Sequence, residues 1–130
     1  TESSGLKILV AEDNKANQFV MKRILQNIGV SFCIADNGRE AINMLEREPF
    51  NMIFMDCQMP VLDGISATKE IRSSVGKPYK DIIIVALTAS AVEGDEDACL
   101  GAGMDAYLAK PVRIKQITDI IKRFSNTMIQ

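Results

Sequence analysis

Histidine is missing altogether from the 130 residues, which argues against a Cys/His zinc site. Cysteine is scarce. Cys33, Cys57 and Cys99 lie far apart, with no C-x-x-C pair and no even-numbered framework, and free thiols suit a reducing cytosol. No apolar stretch approaches the length of a membrane span. The opening Thr-Glu-Ser-Ser-Gly lacks the charged-then-apolar plan of a signal peptide. Net charge is only −2, without the basic run that a nucleic-acid backbone would call for. The expectation is therefore a cytoplasmic chain with no direct contact to membrane or nucleic acid. A start at Thr1 rather than Met suggests a fragment of a longer protein, with residues 1–5 a linker or tag remnant.

What is present is an ordinary globular balance, 47 % apolar and 25 % charged. The length fits one domain, large enough to bury roughly two thirds of its unfolded surface. No internal repeat, low-complexity segment or interdomain linker interrupts it. Short apolar runs alternate with helical patterns instead. The runs are Leu6–Ala11, Ser31–Ala35, Asn51–Met55, Ile82–Leu87 and Ala106–Leu108. The first, third and fourth are nearly continuous hydrophobics, which predicts strands covered on both faces of a parallel sheet. The second and fifth are weaker and belong toward the edges. Between them, Ala16, Val20, Ile24 and Ile28 recur on one helical face that stops at Gly29. Further helices are expected over Gly38–Glu46, Ile65–Ser73, Ala91–Leu100 and Ile114–Phe124. Right-handed crossovers between parallel strands put helices on both faces. The fold predicted is a doubly wound α/β domain, whose ligands bind at the carboxyl ends of the strands.

That rim gathers chemistry. The first run ends in Glu12-Asp13-Asn14, where Asp13 could equally cap a helix. The third ends in Asp56, which on its own could be an acid of a turn. In a doubly wound sheet the first and third strands are neighbours, so Glu12, Asp13 and Asp56 can meet. At about 4 Å and an effective dielectric of about 20, each pair of carboxylates repels by roughly 4 kcal/mol. Stability explains such a cluster poorly; a divalent, oxygen-preferring cation such as Mg²⁺ relieves it. The fourth run ends at Thr88, a hydroxyl with an equally good reading as a strand former or cap. After the fifth comes Lys110, on its own an ordinary surface lysine, followed by Pro111, which restricts it to extended geometry and admits a cis bond. Together these are the parts needed to transfer a phosphoryl group onto a carboxylate: a nucleophile, a metal site, and positive charge for the equatorial oxygens. Gly64 is expected at a tight turn with positive φ. The methionines read as core filler. Cys57 reads as a small rim residue rather than a nucleophile, and the acids Glu93, Asp95, Glu96 and Asp97 as a solvated helix start.

Glu12-Asp13, Asp56, Met59-Pro60-Val61-Leu62-Asp63-Gly64, Thr88-Ala89 and Lys110-Pro111, in this order and spacing, resemble the receiver domain of two-component response regulators. The match runs from about Leu6 to Phe124. Asn14, Asn17 and the stretch Asp56-Cys57-Gln58-Met59-Pro60 resemble receivers attached to hybrid sensor histidine kinases, which would make this the cytoplasmic part of a sensor. The resemblance implies a flavodoxin-like (βα)5 fold with sheet order 2-1-3-4-5, a receiver domain over residues 6–125 and a tail over 126–130. It also implies a phosphorelay switch that is not itself an enzyme, beyond catalysing its own phosphorylation and dephosphorylation.

Residue roles come with the resemblance. Asp56 would accept the phosphoryl group from a phosphohistidine on a histidine kinase or histidine phosphotransfer domain. Asp13, Asp56 and the Gln58 carbonyl would hold Mg²⁺ or Mn²⁺, with Glu12 reaching it directly or through water. Thr88, Lys110 and the N–H groups of Cys57 and Ala89 would bind phosphoryl oxygens. Thr88 and Tyr107 would switch inward, altering the face made by the fourth helix, fifth strand and fifth helix. Without the resemblance, Tyr107 reads as a half-buried edge aromatic. Gln58 and Ser90 occupy positions that tune how long the phosphoryl group lasts. Ala16, Asn17 and Val20 would meet the donor. A haloacid-dehalogenase-type phosphatase is the alternative, but it needs a second Asp where Gln58 stands, and Gln58 cannot transfer a proton that way. A flavodoxin-type flavin site would need a Ser/Thr/Gly-rich loop where Glu12-Asp13-Asn14-Lys15 stands. A degenerate receiver that only binds partners sits poorly with the intact Asp56, Thr88 and Lys110. Oligomeric state, stimulus and output are not legible in the sequence.

Overall fold

The computed structural model describes residues 6–88 and 93–129. Strands and helices alternate strictly: β1 (Lys7–Ala11), α1 (Lys15–Ile28), β2 (Ser31–Ala35), α2 (Gly38–Arg47), β3 (Met52–Asp56), α3 (Gly64–Arg72), β4 (Ile83–Thr88), α4 (Glu93–Ala102), β5 (Ala106–Ala109) and α5 (Ile114–Ile129). All strand pairings are parallel, in the order β2-β1-β3-β4-β5. The two weaker apolar runs are the edge strands, as expected. β3 and β4 are buried along their whole length because helices cover both faces, which is why their sequences do not alternate.

Successive strand residues point to opposite faces, and this sorts the core into two layers. Ile8, Val10, Phe54, Val85 and Leu87 pack with α1 and α5 through Met21, Leu25, Ile117 and Ile121. Leu9, Ile53, Met55, Ile84 and Ala86 pack with α2, α3 and α4 through Ile42, Leu45, Ile71 and Cys99. Four methionines, Met21, Met52, Met55 and Met104, are buried in these layers.

Several local expectations are corrected. The inward face of α1 is Gln18, Met21, Ile24 and Leu25. Ala16 is exposed, and Phe19 and Val20 are 58 % and 41 % exposed. The helix is rotated by Gln18, whose buried amide donates to Glu12 O (2.6 Å) and Asp36 Oδ1 (2.8 Å). A polar residue on the inner face is invisible to a search for apolar periodicity. The N-cap of α1 is Asn14, not Asp13: Asn14 Oδ1 accepts from Asn17 N at 3.0 Å. Asp56 and Thr88 are the last residues of β3 and β4. Helix α5 runs past Phe124 and through 126–129, the segment expected to form a tail.

Gly64 does not adopt a positive φ. What excludes a side chain there is proximity, since a Cβ would lie 2.2 Å from Asp56 O and 2.9 Å from Met55 Cγ. The positive φ of this loop, 69°, falls on Val61 instead. Gly29 closes α1 in the left-handed region (φ 94°), with its N–H bonded to Leu25 O.

Candidate functional site

The register of the sheet assembles the site. Ala11 of β1 is level with Met55 of β3, Asp56 with Leu87 of β4, and Thr88 with Ala109 of β5. One step further along each strand lie Glu12, the end of β3 and Lys110. These carboxyl ends open into a cleft of about 260 Å³, lined by residues that include Glu12, Asp13, Asn17, Asp56, Gln58, Thr88 and Lys110. The cleft sits where the strand order reverses, the position at which doubly wound sheets bind ligands.

Glu12, Asp13 and Asp56 each offer a carboxylate oxygen, all within 4.8 Å of one another. Glu12 and Asp56 are buried, while Asp13 is exposed at the cleft mouth. The Lys110 ammonium lies 2.9 Å from Glu12 Oε1 and 3.1 Å from Asp56 Oδ2. The peptide bond between Lys110 and Pro111 is cis. Backbone groups hold the remaining oxygens: Asn14 N donates to Glu12 Oε2 (3.1 Å) and Gln58 N to Asp56 Oδ1 (3.1 Å).

The electrostatics follow from burial and from this pairing. Burial, then the neighbouring Glu12, push the Asp56 carboxyl up to about 6, against the opposing pull of Gln58 N–H and Lys110. Burial pushes Glu12 up as well. The Lys110 ammonium, the Asp56 carboxyl and Asn14 N–H outweigh it and hold Glu12 below its ordinary value. Lys110 is held above its ordinary value because its two carboxylate partners outweigh its own burial.

Lys110 is the one cation among the described residues lining the cleft. Three carboxylates against one ammonium leave the ionised cluster two negative charges in excess. Glu12 Oε1 is buried, and its contact is the ion pair with Lys110. Three carboxylate oxygens within 4.8 Å of one another, sharing a single ammonium and leaving two negative charges in excess, fit a divalent, oxygen-seeking cation.

Thr88 is buried at the rim, 5 % exposed, and its carbonyl accepts from Lys110 N at 2.7 Å. Tyr107 on β5 is half-buried against the α2–α3–α4 layer. Ala89 and Ser90 lie outside the described residues. The Cys57 N–H, expected at the phosphoryl position, donates to Leu87 O (3.0 Å); the amide that faces the Asp56 carboxylate is Gln58's. Sequence reasoning missed that donor because a backbone N–H carries no residue signature. It also missed Gln18 as the support of the Glu12 backbone. It missed Cys99, which lines the cleft from α4, because a mid-helix cysteine bears no relation to the strand ends where ligands bind.

Fold and geometry together describe an acidic, cation-suited cleft at the carboxyl ends of a doubly wound sheet, and the comparisons make it specific. The family model for the response regulator receiver domain matches residues 8–122, and the chain belongs to that family. It is 40 % identical over 127 residues to hybrid signal transduction histidine kinase G of Dictyostelium discoideum, covering 95 % of this chain and 4 % of the kinase's length. The crystal structure of the receiver domain of a Pseudomonas aeruginosa sensor histidine kinase, with magnesium coordinated in its active-site cleft, is 41 % identical, with a TM-score of 0.85, and covers 94 % of this chain and 98 % of that one. The receiver domain of a Saccharomyces cerevisiae response regulator, co-crystallised with a histidine phosphotransfer protein, is 34 % identical, with a TM-score of 0.85, and covers 96 % and 92 %. Among the described residues, no helix is long and apolar enough to cross a membrane.

Proposed function

We propose that this receiver domain is a phosphoacceptor switch in which Asp56 takes a phosphoryl group from a phosphohistidine on a histidine kinase or histidine phosphotransfer domain. The observation that carries the reading is the buried Asp56 carboxylate, placed within 4.8 Å of Glu12 and Asp13 oxygens and 3.1 Å from the Lys110 ammonium. Asp56 supplies the oxygen that bonds to phosphorus as the bond from phosphorus to the donor's imidazole nitrogen breaks. The product is an aspartyl phosphate and a free histidine.

Lys110 is already bonded to Asp56 Oδ2 and can follow the charge onto the phosphoryl oxygens, as can the Thr88 hydroxyl and the Gln58 and Ala89 N–H groups. Glu12, Asp13, Asp56 and the Gln58 carbonyl are the groups that would hold Mg²⁺ or Mn²⁺. When bound, the cation neutralises the carboxylates and the charge on the transferring oxygens. Phosphorylation adds about −1.5 to −2 charge, and Thr88 and Tyr107 then carry the change to the α4–β5–α5 face, with Gln58 and Ser90 setting how long the phosphoryl group persists. The exposed Phe19 and Val20, beside the cleft-lining Asn17, supply an apolar patch for the donor. The likeness to hybrid histidine kinases over most of the chain supports a parent of that kind, cytoplasmic at this domain.

The test is mass spectrometry of the chain after incubation with Mg²⁺ and acetyl phosphate. The expected result is the gain of one phosphoryl group, abolished by Asp56→Asn. A wild-type chain left unmodified while a control receiver is labelled would overturn the proposal.

A further inference from the structure

Two of the three cysteines meet beside the site. Cys57 Sγ and Cys99 Sγ lie 3.0 Å apart, although 42 positions separate them in sequence. Neither is in a disulfide. Cys57 immediately follows the phosphoacceptor Asp56 in the chain. Cys99 is on α4 and only 1 % exposed, both residues line the same cleft, and the half-buried Cys57 is the one that a small solute meets first. About 1 Å of further approach gives a bonded S–S distance of about 2.05 Å. Nothing in the core calls for this pairing: Cys99 already packs in the α2–α3–α4 layer, and the backbone of Cys57 is fixed independently, its N–H on Leu87 O and its carbonyl on Gly64 N. Cys33 sits in β2, on the far side of β1 from β3, and offers no competing partner.

We infer that Cys57 and Cys99 form a reversible disulfide under peroxide and that this bridge slows phosphoryl acceptance at Asp56. The chemistry closes with one peroxide per bridge. The more accessible Cys57 sulfur attacks a peroxide oxygen; the S–O bond forms, the O–O bond breaks, and the departing oxygen leaves as water, giving a sulfenic acid. The Cys99 sulfur then attacks that sulfur; the S–S bond forms, the S–O bond breaks, and a second water leaves. The two thiols together lose two electrons and peroxide gains two.

The bridge ties the β3–α3 loop to α4. The proposed switch needs the loops at the ends of β3 and β4 and the α4–β5–α5 face to change arrangement together, and a covalent tie between them biases the domain against the rearranged form. The second half of the inference thus rests on the phosphoacceptor reading; the first does not.

The experiment uses the Cys33→Ala chain, treated with hydrogen peroxide, alkylated, digested and mapped by mass spectrometry, with the reduced chain in parallel. The expected result is a peptide joining positions 57 and 99, lighter by two hydrogens than the reduced pair and separated by dithiothreitol. Phosphorylation by acetyl phosphate and Mg²⁺ should slow about tenfold after oxidation and recover on reduction, while Cys99→Ser shows no peroxide-dependent slowing. Both thiols remaining alkylatable, or Cys57 passing to sulfinic acid with Cys99 free, overturns the bridge. The peptide map decides this by itself, even if Cys99→Ser fails to fold. A bridge that forms without changing the rate overturns the regulation. A reduced chain that takes no phosphoryl group defeats the phosphoacceptor reading and leaves the bridge standing on its own map.

Discussion

Replacing the phosphoacceptor should stabilise the metal-free domain. Asp56 is buried, and its carboxyl is pushed from 3.8 up to about 6 by burial and by Glu12. Ionising it in the fold therefore costs more than ionising it in the unfolded chain. A difference of about two units corresponds to roughly 3 kcal/mol. The sign is that of a raised acid: the folded state binds the proton more tightly, and the penalty is absent below about pH 4, grows between about 4 and 6 and is complete above that. Asp56→Asn removes it but also weakens the contacts with Lys110 and Gln58 N–H, so a net gain of about 1–3 kcal/mol is expected at pH 7.5. Lys110 keeps its other partner, Glu12, at 2.9 Å, so no buried ammonium is stranded. The assay is urea or thermal unfolding with EDTA, from pH 4 to 8. For a domain of this size the gain is worth about 4–10 °C in Tm, and it should shrink toward zero near pH 4. Adding Mg²⁺ should raise wild-type stability by about 2.7 kcal/mol at a hundred times its Kd and the variant's by less. A variant that is less stable at pH 7.5, or whose advantage does not vary with pH, would refute the electrostatic account of the cleft.

Other expectations are more local. Gly64→Ala should destabilise by about 2 kcal/mol or more, because the new Cβ would meet Asp56 O at 2.2 Å. It should also slow phosphorylation by shifting the end of β3, as denaturant titration and acetyl phosphate labelling would reveal. Lys110→Ala should lower the labelling rate by about a hundredfold or more, the scale seen when an anion-stabilising donor is removed; an unchanged rate would exclude its proposed role. Asn14→Ala should cost about 1 kcal/mol through loss of the α1 cap, read as a lower urea midpoint. Val20→Asp should slow transfer from a phosphohistidine protein while leaving acetyl phosphate labelling intact. Equal effects on both donors would place Val20 in the site rather than on a docking surface.

Element order, layering and the cast of the cleft can all be read along the chain. Continuous apolar runs in β3 and β4 can only be strands covered on both sides, and Asp56, Thr88 and Lys110 announce themselves as polar residues at the ends of such runs. What it did not carry is whatever depends on side chains and backbone meeting from distant positions. The inner face of α1 was misplaced because Gln18 is buried for its hydrogen bonds to Glu12 O and Asp36, an arrangement that no hydrophobic period reveals. A glycine's φ can be guessed locally, so the sequence points to a turn at Gly64, whereas the approach of Asp56 O is a contact from another element that no local signal reveals. It took the folded chain to show that burial raises Asp56 while Lys110 and its neighbours hold Glu12 down, that Gln58 turns its N–H to the carboxylate, and that the sulfurs of Cys57 and Cys99 meet. Periodicity is written along the chain, but pKa shifts and contact geometry arise from distances across the sheet, which exist only once the strands have paired.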